Sequence, residues 1–424
     1  MSKDFTKELE ELTKADIISD DTAEKIRNYY ASKQSSSSGM LIAFAIIGAV
    51  LVGLGVILII AHNWDELARP TKVIFAFLPL IMTQLLCGFT LLKKQGQAAW
   101  VESSSVLLFF AVGASISLVS QVYNIHGDLN TFLFVWSLLC LPIVYIMRSY
   151  AASLLYISVI TYYAVTSNYT WNFSMKQNIH FWWMFLLVLP NYIINFKRNP
   201  HSNAIKVHNW IIPISLSIAL STLSHRGENY LYMAYLSLFS IFYTLGNLPI
   251  YNQHKRRGNG LLVIGSLGTV SLLLTLSFNW FWRKSQDTDT IFSAEFIAAV
   301  VTSLTALVLA AWQLKKKNHH SILLIKYAFM IYIVLYIMDS FAPLVSQSLI
   351  NVLILGIGIN LISSGTKEDH LGLVNYGMLV ITSLIICRFF DSDMSFVLRG
   401  LLFIAVGAGF FTANYFILKK RKQK

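Results

Sequence analysis

Apolar runs of about 20 residues recur along almost the whole chain, and this recurrence constrains the fold more than any motif does. The first, LIAFAIIGAVLVGLGVILIIA at 41–61, would cover roughly 30 Å as a helix, the depth of a bilayer's hydrocarbon core. Lipid offers no partner to free backbone N–H and C=O groups, so each run must satisfy its own hydrogen bonds as a helix. The reading is an all-α, polytopic transmembrane helical bundle of about fourteen spans. They fall at 41–62, 71–92, 101–122, 129–147, 150–166, 180–196, 207–222, 229–246, 260–279, 291–313, 321–338, 344–362, 371–388 and 395–417. Composition agrees: 55% of residues are hydrophobic and 13% charged, against about 25% charged in a soluble chain.

A net charge of +12 suits nucleic acid in a soluble chain, but its placement here excludes that. Lys93, Lys94, Lys197, Arg198, Lys255, Arg256, Arg257 and Lys315 to Lys317 occupy alternate loops, on the same side as the tail KKRKQK. Asp65, Glu66, Asp128, Asp287, Asp289, Asp339, Asp391 and Asp393 occupy the loops between. Cationic loops stay in the cytoplasm, so both termini are expected there. No aromatic-interleaved basic patch serves a nucleic acid. Cys87, Cys140 and Cys387 all lie in apolar runs without metal-ligand or disulfide spacing, and read as small core residues.

Ahead of the first run lies a polar segment with no signal-peptide pattern, so that run is expected to serve as both targeting signal and anchor. Residues 1–34 read as a cytoplasmic helical hairpin, 35–40 as a Ser-rich linker, 41–418 as the bundle and 419–424 as a basic tail. Asp21 and Glu24 make a capping-box-like helix start. Leu9, Leu12, Ile17, Ile18 and Ile26 form a candidate apolar seam. So small a piece buries little core alone, and residues 3–33 are expected to lean on the bundle or on a cytoplasmic protein partner.

Between the third and fourth runs stands YNIHGDLNTFLFVW, 123–136. Gly127 is suited to a tight reversal, and Asp128 stands where its carboxylate would cap the next helix. This stretch, together with LVGLGVILIIAHNWDELARPTK and the helix start at Leu133 and Trp136, resembles a bacterial family of predicted membrane proteins, domain of unknown function 2157. Leu129 departs from the aromatic residue common after that Asp. RFFDSDMSFVLRGLLFIAVGAGFFTANYFILKKRK is similar to the closing segment of related chains. The resemblance implies a multi-pass protein of the bacterial inner membrane and carries no activity or catalytic residue with it.

The candidate binding residues form an extracytoplasmic set: Asp65, Arg69, His126, Asp128, Glu295, Arg388, Asp391, Asp393 and Arg399. Asp65 and Arg69 have i, i+4 spacing. Arg399, about one turn inside the last run, needs a partner such as Asp391 or Asp393. Glu295, one turn inside its run, has no obvious one. Pro79, Pro142, Pro190 and Pro213 sit within runs and free carbonyls; PNYIIN adds Asn191 and Asn195. No P-loop, H-E-x-x-H, G-x-S-x-G or Cys/His metal spacing is present, so no catalytic residue, metal or cofactor is expected. Three functions stay open: a carrier or flippase-like protein for a small solute or lipid, a scaffold or sensor docking through its hairpin, and an interfacial enzyme using His126 and Asp128 on envelope lipids.

Overall fold

A computed structural model describes residues 9, 11–13, 15, 17–33, 51, 66–168, 179–223, 228–252, 258–284, 293–315, 323–339 and 343–391, with scattered positions between 396 and 415. Among these residues every regular element is helical. In chain order they are α1 (Asp20–Lys33), α2 (Arg69–Lys93), α3 (Ala98–Val122), α4 (Leu129–Ile146), α5 (Tyr150–Asn168), α6 (His180–Arg198), α7 (Asn203–Ser221), α8 (Glu228–Gly246), α9 (Pro249–Asn252), α10 (Gly260–Leu276), α11 (Asn279–Lys284), α12 (Ala294–Lys315), α13 (Leu323–Asp339), α14 (Pro343–Lys367) and α15 (Leu371–Asp391).

Helices α2 to α8, α10 and α12 to α15 coincide with twelve of the expected spans to within a few residues. The run at 41–62 lies almost wholly outside the described residues, and the run at 395–417 is described only at scattered positions. Among the described residues seven helices are long and apolar enough to cross a membrane: α2, α3, α4, α7 and most of α12, α14 and α15. Helix α10 and the 324–338 stretch of α13 are apolar but shorter. The Tyr-rich α8, ENYLYMAYLSLFSIFYTLG, is not among the seven, and its packing explains its polarity: it is sheathed by other helices of its unit.

The chain divides into two compact units, one of residues 1–104 and 114–125, the other of 105–113 and 126–424. In the first, Ser115 Oγ donates to the Ala76 carbonyl at 2.7 Å and Cys87 Sγ to the Ser104 carbonyl at 3.3 Å, which fastens α3 to α2. The described part of the expected hairpin differs in detail from expectation. Helix α1 is capped two residues earlier, with Ser19 Oγ accepting from the Thr22 N–H at 3.4 Å, while Asp21 pairs with Lys25. Of the expected seam, Leu9 is buried and Ile18 and Ile26 half-buried, but Leu12 and Ile17 are exposed.

In the second unit α8 packs against α7, α10, α12 and α13, and α14 pairs with α15. Glycines set two of these approaches. A Cβ on Gly265 of α10 would stand 2.5 Å from the Tyr243 nitrogen of α8, and one on Gly377 of α15 would stand 2.7 Å from the Gly358 carbonyl of α14. Both are far inside contact distance, so these backbones touch directly. The four prolines lie inside helices that continue through them. Asn191 and Asn195 are buried: Asn191 Nδ2 donates to the Val144 carbonyl at 2.9 Å and Asn195 Nδ2 to Asn191 Oδ1 at 2.6 Å. They tie α6 to α4, which uses up the polar groups that PNYIIN brings into its span.

Candidate functional site

The turn before α4 combines one expected device with one substitution. Asp128 is extended at φ −93°, ψ 159°, and its Oδ1 accepts from the Thr131 N–H at 3.1 Å. The contact with Thr131 holds its carboxyl below the usual carboxylate range, because the bond favours the ionised form. The left-handed residue is Asn124 at φ 52°, not Gly127; Asn tolerates that region through its short polar side chain. His126 is exposed and shares no hydrogen bond with Asp128.

Two expected site residues meet at the start of α14 and the ends of α10 and α15. Arg388 Nη1 donates to Asp391 Oδ2 at 2.7 Å, and Gln347 Nε2 reaches the same oxygen at 3.2 Å. Gln347 Nε2 also approaches the Ser277 carbonyl at 3.1 Å, Arg388 Nη2 donates to Ser277 Oγ at 3.2 Å, and the guanidinium lies 5.4 Å from the Phe278 ring centre. Asp391 therefore has Arg388, from its own helix, as cationic partner. Arg69 heads α2 in the first unit and is exposed. Asp65, Asp393 and Arg399 lie outside the described residues, and so does any Arg399 pairing.

Glu295, in the first turn of α12, is 1% exposed. It begins a buried line, Glu295, Ala299, Ser303, Ala306, Ala310 and Gln313, whose steps of three and four place it on one face of the helix. The 18 positions from Glu295 to Gln313 rise roughly 27 Å, close to the bilayer core. This face meets α8, whose Ser237, Ser240 and Thr244 are also buried. Ser237 Oγ and Ser303 Oγ are 2.9 Å apart, and Gln313 Nε2 donates to the Thr244 carbonyl at 2.7 Å. Nearer the other end, the Tyr230 and Phe296 rings lie 5.1 Å apart. These three pairings ascend both helices together, so α8 and α12 run parallel.

The line ends at a residue that the sequence reading does not single out. Lys326, in the first turn of α13, is 2% exposed, and its Nζ donates to Gln313 Oε1 at 2.9 Å. Ser240 Oγ donates to the Lys326 carbonyl at 2.5 Å, fixing α13 on α8. The signal is present in LLIKYAFMIYIVLYIMD, a lone cation inside an apolar run. A span average conceals it, whereas an intramembrane charge taken singly marks a functional site by default. Among the described residues no group of three His, Cys, Asp or Glu side chains is arranged to hold a metal ion.

Repeated apolar helices, several long enough to cross a bilayer, with Glu295 and Lys326 as buried exceptions to their apolar interior, define a helical membrane protein. The family model Predicted membrane protein (DUF2157) matches residues 10–153; over that stretch the chain is similar to this family of predicted membrane proteins. The match includes the Gly-Asp turn and ends before the segments that hold Glu295, Lys326 and Arg388. No curated protein and no solved structure matches the chain.

Proposed function

We propose that the protein is a carrier in the bacterial inner membrane, moving a small solute or a lipid along the seam between α8 and α12. The observation that carries this reading is the line of buried polar groups from Glu295 through Ser303 and Ser237 to Gln313 and Lys326. An ionisable side chain inside a membrane helix marks a functional site by default, and this seam buries an acid near one end and a base near the other. The exposed His126 and Asp128 belong to the proposed outer entrance.

Fourteen crossings with both termini in the cytoplasm complete the proposal. Helix directions support alternation: α8 and α12 run parallel, whereas Lys326 near the start of α13 meets Gln313 near the end of α12, so α13 runs the other way. Single cysteines placed at 255–257 and 315–317 should react with membrane-impermeant maleimide only after cells are opened. Labelling of intact cells at both loops would reverse the orientation.

Transport is tested by reconstituting the full chain in liposomes. Lipid translocation is followed with fluorescent phospholipids, and solute movement by charge displacement on supported membranes. We expect flux of at least one class, reduced tenfold or more by Ser303→Leu, which plugs the seam. Flux no greater than in protein-free liposomes, from folded protein, rejects the carrier.

A second reading, a scaffold that docks a soluble partner, rests on the exposure of Leu12 and Ile17 in the hairpin. Deleting residues 1–33 separates the two: unchanged flux leaves the hairpin to docking, and lost flux ties it to transport.

A further inference from the structure

The hydrogen-bonding capacity around Lys326 is unbalanced, and the imbalance identifies the chemistry that would complete it. An ammonium has three donors and no acceptor. Among the described residues Lys326 has one hydrogen-bond acceptor for its ammonium, Gln313 Oε1, and no carboxylate partner. The orientation of that amide is fixed, because its Nε2 is committed to the Thr244 carbonyl. Two hydroxyls beside this chain are buried with no hydrogen-bond partner among the described residues: Thr244 Oγ1, on the residue that holds Gln313, and Tyr327 Oη, on the residue that follows Lys326. Both are able to donate. The group therefore offers donors and positive charge in excess, and what it lacks is an acceptor-rich anion. The sequence adds Lys315, Lys316 and Lys317 starting two residues after Gln313; such a run raises the local concentration of anions.

We infer that Lys326, with Gln313 and Thr244, forms a binding site for an anionic oxygen group, a carboxylate or phosphate carried by a small solute or by a lipid headgroup. The inference deepens the carrier reading by naming the class of its cargo. Binding is measured apart from flux, so the two fail separately: binding without flux keeps the site and rejects the carrier.

The full chain in detergent is heated with inorganic phosphate or acetate against sodium chloride at equal ionic strength. In parallel it is heated in nanodiscs of phosphatidylcholine with or without phosphatidylglycerol. We expect the unfolding temperature to rise by a few degrees in one arm. A rise with the free anions assigns a solute, and a rise with phosphatidylglycerol alone assigns a headgroup. Lys326→Met should abolish the rise and Lys326→Arg retain part of it. Gln313→Leu, which keeps the cation, should reduce it severalfold and serves as the test if Lys326→Met does not fold. No rise in the wild type in either arm, or an equal rise in wild type and the folded variants, overturns the inference.

Discussion

At Arg388 a cation meets a carboxylate of its own helix, which also accepts from an amide of α14, and a hydroxyl from the end of α10, whereas among the described residues the Lys326 cation meets one amide oxygen and, 5.3 Å away, the centre of the Tyr327 ring. Both lie in the same unit, and both are charges taken from water. The first is surrounded by groups that neutralise it, so it acts as a clamp joining three helices. The second is held in place by neutral groups, with no counter-charge among the described residues. The contrast teaches that burial alone does not mark function; what matters is whether the buried charge finds its counter-charge within the protein.

Opposite signs on mutation sharpen the contrast. Asp391→Leu removes the counter-charge and should destabilise the protein by roughly 3 kcal/mol, somewhat less where water reaches the guanidinium. Lys326→Met removes the uncompensated charge and should stabilise by about 2 kcal/mol or leave stability unchanged. Denaturation in a common detergent measures both, and loss of stability in Lys326→Met comparable to that in Asp391→Leu would erase the distinction. Gln347→Leu takes a bridging amide from the clamp and should cost about 1.5 kcal/mol in the same measurement.

The smallest effect concerns the exposed cap at Asp128, where Asp128→Ala should cost about 1 kcal/mol. Because the folded carboxyl titrates below its ordinary value, its contribution is present above the unfolded value of about 3.9 and disappears as pH falls through the folded one. Stability followed from pH 6 to pH 2 should therefore fall more in the wild type than in Asp128→Ala over the acid end. Parallel curves would show that the cap carries no proton linkage.

What the sequence discloses follows the range over which each interaction acts. Apolar runs locate the helices to within a few residues because helix hydrogen bonds close within four positions. Asp128 is readable as a cap for the same reason. Asn124 is not, since either Asn124 or Gly127 is chemically able to take the left-handed position and the choice depends on the path of the whole turn. The pairing of Arg388 with Asp391 lies three residues apart and is local. Lys326 with Gln313, Ser237 with Ser303, and Ser240 with the Lys326 carbonyl join residues 13, 66 and 86 positions apart. Ser and Thr in membrane helices also bond their own preceding carbonyls, as Thr302 and Thr305 do, so a hydroxyl in a run does not declare its partner.

The glycine contact between α14 and α15 carries a mechanical consequence. With Gly358 and Gly377 backbone to backbone, neither helix has side-chain slack through which to shear past the other. Gln347 and Asp391, each on one arm, are then the grip of a single rigid lever. Any rearrangement that opens the neighbouring seam must swing this pair as one piece or leave it standing still.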